Sequence, residues 1–240
     1  MDIYKTEDLG RLLAQNPYPG RGIVVGKSAD SRFAAVAYFI MGRSENSRNR
    51  VFAATEDGIR TQAFDPAKVK DPSLIIYHPV RRLDGHLIVT NGDQTDTVRD
   101  GLLAGETFSQ ALSRRCFEPD GPNWTPRISA LLTFAERNFT YEMSILKSAD
   151  AAGTACSRFT FSYPALPGVG HFLHTYVTDG NPVIPTFQGE PERVAIGSDP
   201  AAFADQVWEN LNADNKVSLY INWIDLADGG ESVRIFNKNQ

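Results

Sequence analysis

Cysteine is nearly absent from this 240-residue chain: there are two, Cys116 and Cys156, far apart and in no C-x-x-C pair. The four histidines form no H-x-x-x-H pair. Zinc-ligand spacing is therefore missing, no metal or other cofactor is expected, and both thiols read as buried side chains. No segment approaches the ~18 apolar residues of a membrane span. The opening "MDIYKTEDLGRLL" is acidic and lacks the apolar core of a secretion signal. Basic residues are in deficit, with 24 Lys and Arg against 29 Asp and Glu, a net charge of −5. Generic nucleic-acid binding needs a basic field, so that class is excluded. The expectation is a soluble, reduced, cytoplasmic protein with neither nucleic acid nor membrane as partner.

Several catalytic signatures are missing as well. "RGIVVGKS" suggests a P-loop, but the pattern needs glycine where Arg21 stands, and Ile23, Val24 and Val25 favour a strand. There is no G-x-S-x-G elbow, G-x-G-x-x-G fingerprint or H-E-x-x-H helix. Repeats and low-complexity tracts are absent too.

What is present reads as strands in hairpin-like runs on both sides of a helical pair. "YKTEDLGRLLAQN" has helical spacing, with Leu9, Leu12 and Leu13 on one side, and "NPYPG" ends it. "RGIVVGK" and "RFAAVAYFIMG" pair around "SADS", "RVFAAT" and "IRTQAF" around "EDG", and "SLIIYHPVRRL" and "GHLIVTNG" around "LDG". "DTVRDGLLAG" and "TFSQALSRRCF" are helical, Thr107 capping the second. Strands follow in "RISALLTFAE", "FTYEMSILKS", "CSRFTFSYPAL" and "GHFLHTYVT". "PAAFADQVWENLN" is an amphipathic helix, and "KVSLYINWIDL" and "SVRIFN" are the last strands. Eleven or so strands exceed one ordinary sheet, so the expectation is α+β with mostly antiparallel sheets, two stacked and covered by helices.

Four polar tracts lie after or between strands. "GRSENSRNR" offers Arg43, Arg48 and Arg50; it is either a solvated turn or a set of forked donors for a phosphate. As a strand it would put Arg48 and Arg50 on one face. "VTNGDQTD" contains Asn91-Gly92, a plausible turn, and Asp93, placed to cap the next helix. "EPDGPNWTPR" is richer in polar chemistry than a connector needs, with Glu118, Asp120, Asn123, Thr125 and Arg127. "HTYVTDGNPVIPTFQGEP" is turn chemistry with no assigned role. His78, His86, His171 and His174 read as structural; in a strand the last two would face opposite ways.

In their order, "GRGIVVGK", "GRSENSRNRVF", "IIYHPVR", "VTNGDQTD" and "NWTPRI" resemble the archaeal-type IMP cyclohydrolase family. The family pattern reads Asn-Thr-Pro-Arg-Ile, whereas here Trp124 separates Asn123 from Thr125. The resemblance implies a single domain over 1–240 with an αββα sandwich like that of N-terminal nucleophile hydrolases, without self-cleavage. It implies closure of the purine ring of 5-formamidoimidazole-4-carboxamide ribotide to inosine monophosphate (IMP), with loss of water and no cofactor. The partner implied is a purine ribonucleotide; a homo-oligomer is compatible with it. Such a reaction needs a grip on phosphate, a proton acceptor for the attacking amide nitrogen and donors for the formyl oxygen. Tyr77, Glu118 and Arg50 are the catalytic candidates. Arg21, Arg43, Arg48, Asn91, Asp93, Asn123, Thr125 and Arg127 are the substrate-binding ones. The rival readings are a purine-nucleotide binder without catalysis and an amidohydrolase on the same fold.

Overall fold

The structure, a computed structural model, describes residues 2, 4–69 and 75–239. Two antiparallel sheets form. The first has strand order β11-β10-β1-β2-β12-β13, from β1 (Arg21–Lys27), β2 (Phe33–Met41), β10 (Val169–His174), β11 (Glu192–Ala195), β12 (Lys216–Asp225) and β13 (Glu231–Asn237). The second runs in chain order through β3 (Arg50–Thr55), β4 (Gly58–Ala63), β5 (Val80–Leu83), β6 (His86–Thr90), β7 (Arg127–Ala135), β8 (Asn138–Ser148) and β9 (Cys156–Pro164). Two-residue turns join β3 to β4, β5 to β6 and β7 to β8, and each later strand adds beside the last, so spatial order follows sequence order.

The helices are α1 (Leu9–Gln15), α2 (Glu45–Arg48), α3 (Gln94–Leu103), α4 (Phe108–Leu112) and α5 (Pro200–Asn210). The expected hairpins form in register, Arg21 opposite Ile40 and Arg50 opposite Ala63. Several bounds differ from expectation. Helix α1 starts at Leu9, because the Asp8 carboxylate accepts the Arg11 N–H and caps it there. The strand expected from "SLIIYHPVRRL" begins only at Val80, after Pro79, which lacks the N–H a ladder needs; residues 73–74 of that run lie outside the described ones. Helix α4 stops at Leu112, so "SRRCF" is loop. Two short elements, α2 and β11, have too few residues to set up a period.

The strand period of two sorts the apolar side chains into three clusters. Ile23, Val25, Val36, Tyr38 and Ile40 meet Phe52, Val89, Ile128 and Ala130 between the sheets. Val24, Ala35, Ala37 and Phe39, on the opposite face of the same strands, pack on Leu9 and Leu13 of α1 and Phe203 and Val207 of α5. Ile88, Leu131 and Leu146 meet Val98 of α3 with Phe108 and Leu112 of α4. The molecule is therefore α+β in four layers, helix, sheet, sheet, helix. Strand β2 is apolar at every position because both its faces are covered.

Between the sheets His171 stacks on Tyr163 with ring centroids 3.6 Å apart, and its Nδ1 lies 2.7 Å from the Tyr141 hydroxyl. His174, three residues on, faces Phe172 and Glu192 on the other side of the sheet. Burial, and then the Arg193 charge, push the His171 pKa down to about 4. The unfolded chain takes this proton near pH 6.5 and the folded chain does not. Stability from His171 is therefore complete above about pH 6.5 and falls as pH drops towards 4, by at most ~1.4 kcal/mol per pH unit. In urea unfolding from pH 7 to 4, His171→Gln is expected to lose less stability than wild type; parallel curves would remove His171 as the cause.

Candidate active site

Antiparallel pairing sets the start of one strand beside the end of its neighbour. Arg21, Arg50 and Arg127 begin β1, β3 and β7, while Met41, Thr90 and His174 end β2, β6 and β10. Tyr77 lies just ahead of β5, held by N–H donation to Thr61 Oγ1 at 2.9 Å. One end of the sandwich thus collects the candidate residues.

Arg50 shares the inner face of β3 with Phe52, so its side chain enters the gap between the sheets and is 0% exposed. Its Nε donates to the Ser47 carbonyl at 2.8 Å and Nη2 to the Met41 carbonyl at 3.3 Å; Nη1 has no partner. Among the described residues no carboxylate pairs with it. Burial lowers its pKa from the ordinary arginine value, with Arg21 adding to the effect. Arg21, inward-facing by the same alternation, has Nη2 at 3.8 Å from Glu118 Oε2 and an Nε without a partner. Burial opposes its charge, but Glu118 and the phenols of Tyr176, Tyr18 and Tyr77 outweigh that and raise its pKa.

Glu118 is 3% exposed, and its N–H donates to the Thr125 carbonyl at 2.8 Å. Burial holds its carboxyl above the ordinary carboxylate range, although Arg21 and Arg127 pull the other way. The Tyr77 and Tyr38 hydroxyls are 2.9 Å apart. Burial raises both phenols, against the pull of Arg50 and Arg21, so at neutral pH both carry their protons.

A second group adjoins the first through Arg127. Its Nη1 lies 2.8 Å from Asp93 Oδ1 and 2.7 Å from Gln94 Oε1. Asp93 Oδ2 pairs with Arg115. Burial raises the Asp93 pKa, but Arg115 and Arg127 more than offset it and hold it low. Asp93 does occupy the N-cap of α3, yet makes no cap hydrogen bond, since both oxygens face arginines. A Cβ on Gly92 would come 2.4 Å from Arg127 Nη1, so only glycine leaves the guanidinium this position. Asn91 is closed off: Nδ2 donates to the Pro126 carbonyl at 2.8 Å, and Oδ1 accepts from Ile128 N and Gln94 Nε2, each at 2.9 Å.

Other candidates sit at the margin. Arg43 donates to Asp179 Oδ1 at 2.5 Å and to the Gly180 carbonyl at 2.7 Å, its guanidinium over the Tyr18 ring. Arg48 is not strand neighbour to Arg50: Ser44 caps the one-turn α2, which carries Arg48 outward to the Gly42 carbonyl and Asn215. Asn123 Oδ1 accepts the Ile184 N–H at 3.0 Å. Thr125 Oγ1 bonds Asp120 and lies 2.6 Å from the Tyr176 hydroxyl. Tyr176 and Tyr38 escaped sequence reasoning. Tyr176 stacks on Tyr18 and presses on Gly20, where a Cβ would meet its ring at 2.5 Å. Its signal was the unassigned "HTYVTDG" tract; Tyr38 looked like one more apolar residue of β2. The cysteines also depart from expectation: Cys116 is exposed and Cys156 half-buried, because "SRRCF" is loop and β9 an edge strand.

Comparison with known proteins gives two kinds of match. Residues 18–229 match the family described as IMP cyclohydrolase-like protein. Two relatives are proteins named IMP cyclohydrolase. That of Methanopyrus kandleri is 33% identical over 118 residues, covering 48% of this chain and 58% of the relative. That of Methanococcus maripaludis is 33% identical over 124 residues, with the same shares. The chain thus spans somewhat over half the length of the curated relatives it matches.

Proposed function

The chain belongs to the IMP cyclohydrolase-like family, and from that premise we propose that it closes the purine ring of 5-formamidoimidazole-4-carboxamide ribotide to IMP. The observation that carries this reading is Arg50. A fully buried guanidinium with an unused donor and no carboxylate partner among the described residues calls for an anion, because a lone buried charge is costly. The four-layer arrangement supports the finer reading of an N-terminal nucleophile hydrolase-like architecture, here as one domain.

The residues divide into roles by their environments. Ring closure forms the bond between the carboxamide nitrogen and the formyl carbon. The water released takes the formyl oxygen, one proton from the carboxamide nitrogen and one from the formamido nitrogen. Glu118, its pKa raised by burial above the ordinary carboxylate range, accepts the first proton and returns it to the departing oxygen. Tyr77, protonated at neutral pH, and Arg50 donate to the oxygen as it gains charge. Arg21 holds Glu118 in place. Arg127 and Arg115, beside the first turn of α3, grip the phosphate, with Asp93 aligning both. Asn91 and Thr125 brace this frame, and Arg43, Arg48 and Asn123 anchor the surrounding segments.

The test is to supply the formylated ribotide and follow IMP formation by ultraviolet absorbance, with calorimetry of IMP binding alongside. Turnover supports the proposal. Binding of IMP without turnover would leave a nucleotide-binding protein, and the absence of both turnover and IMP binding would remove the reading altogether. Arg127→Ala is expected to raise KM at least tenfold with a smaller change in kcat, since it removes ground-state grip; an unchanged KM would take Arg127 out of the phosphate site.

A further inference from the structure

The two cysteines, far apart in sequence, meet beside the proposed site. Arg158 joins their backbones: Nη2 donates to the Arg115 carbonyl at 2.8 Å and Nη1 to the Cys156 carbonyl at 3.3 Å. The Arg115 carbonyl belongs to the peptide that continues into Cys116, so one guanidinium holds the two segments side by side. The Cys156 side chain packs on the cluster that contains Leu112, four residues before Cys116, with its Sγ donating to the Ser157 carbonyl at 3.6 Å; burial, and then the neighbouring Cys116, raise its pKa. Cys116 is exposed. Exposure leaves its sulfur open to a peroxide, while the loop on either side is tied down by the Arg114–Glu106 and Arg115–Asp93 pairs.

We propose that Cys116 and Cys156 are a peroxide-responsive pair that closes to a disulfide and slows the enzyme. Cys116 is the attacking thiol. Its sulfur displaces one oxygen of hydrogen peroxide as water and becomes a sulfenic acid. Cys156 then attacks that sulfur, gives up its proton, and the hydroxyl leaves as a second water. The balance is two thiols and one peroxide to one disulfide and two waters, and a thiol reductant reverses it. The consequence for the site follows from the chain. Arg115, next to Cys116, pairs with Asp93, and Glu118 lies two residues further on. A disulfide would tie Cys116 to β9 and restrain the loop that carries Arg115 and Glu118, the partners of Asp93 and Arg21.

The effect on turnover rests on the reaction proposed above; the disulfide itself does not. The full chain is treated with stoichiometric hydrogen peroxide, then followed by free-thiol titration, intact mass and peptide mapping, with turnover in parallel. Expected are loss of both thiols, a mass lower by about two hydrogens as two thiols become one disulfide, and a cross-linked 116–156 peptide. A severalfold fall in kcat/KM, restored by dithiothreitol, should accompany them. Cys156→Ser should leave basal turnover intact and instead carry Cys116 to higher oxygen adducts under the same treatment. Retention of both thiols, oxygen adducts without a cross-link in wild type, or cross-links between chains would each overturn the pairing. A disulfide that leaves measurable turnover unchanged would overturn the control of activity. Absence of turnover even in the reduced protein would count against the catalytic proposal alone, since mass and thiol count decide the pairing.

Discussion

Arg50→Lys is expected to lower kcat/KM for ring closure by about 10²–10³-fold, the loss found when one preorganised oxyanion donor is removed. The charge survives this substitution, so the loss would measure geometry. Arginine presents a rigid fork, two arms of which are fixed here by the Ser47 and Met41 carbonyls. The third arm, Nη1, is thereby aimed without a partner into the buried end of the sandwich. Lysine has one compact ammonium and cannot satisfy both carbonyls and reach the same point. At least one buried carbonyl would lose its donor, at about 1–3 kcal/mol, so melting temperature should also fall by several degrees. Ligand separates the two effects. IMP should raise the melting temperature of wild type clearly and that of Arg50→Lys much less. A variant that melts earlier yet keeps wild-type kcat/KM and the full IMP shift would make Arg50 a structural residue and remove the main support for the proposed site.

Sequence patterns disclosed the frame of this site better than its contents. An apolar strand such as "FAAVAYFIM" can only be covered on both faces, and paired β-rich runs around "SADS" or "EDG" predict antiparallel hairpins. From those two facts the stacked sheets follow. The polar tracts fall at strand ends because loops do, and pairing gathers several ends at one side. What sequence could not settle is which arginine points inward. Arg48 and Arg50 stand two apart and would share a face in a strand. A capping box at Ser44 instead builds one helical turn and sends them to different surroundings. The same limit hid Tyr176, whose contact with Thr125 spans 51 residues. It also made the cysteines look buried, since exposure depends on where β9 falls in the sheet. Protonation was equally out of reach: Tyr77 and Glu118 both read as proton-handling groups, and only burial among arginines separates a donor phenol from an acceptor carboxylate.

Glu118→Gln carries the second large effect, and pH is the variable that identifies it. As acceptor of the carboxamide proton, Glu118 must be ionised, so wild-type kcat/KM should fall on the acid side through a pKa above the ordinary carboxylate range. Glutamine keeps the size and a hydrogen-bonding oxygen but cannot take the proton. The variant is expected to lose about 10²–10⁴-fold in kcat and to lose that acid limb. Stability should move differently. Because the folded protein holds this proton more tightly than the unfolded chain, Glu118 contributes most below its unfolded pKa, and that contribution disappears as pH rises through the folded value. At neutral pH the buried carboxylate is therefore a cost to folding, and Glu118→Gln, uncharged throughout, should melt no lower than wild type there. A slow, flat-profiled and fully stable variant would mean that the charge is retained for chemistry. A variant that keeps the wild-type rate and acid limb would pass the acceptor role to another group, with Asp120, which bonds Thr125 in the same loop, the next to replace.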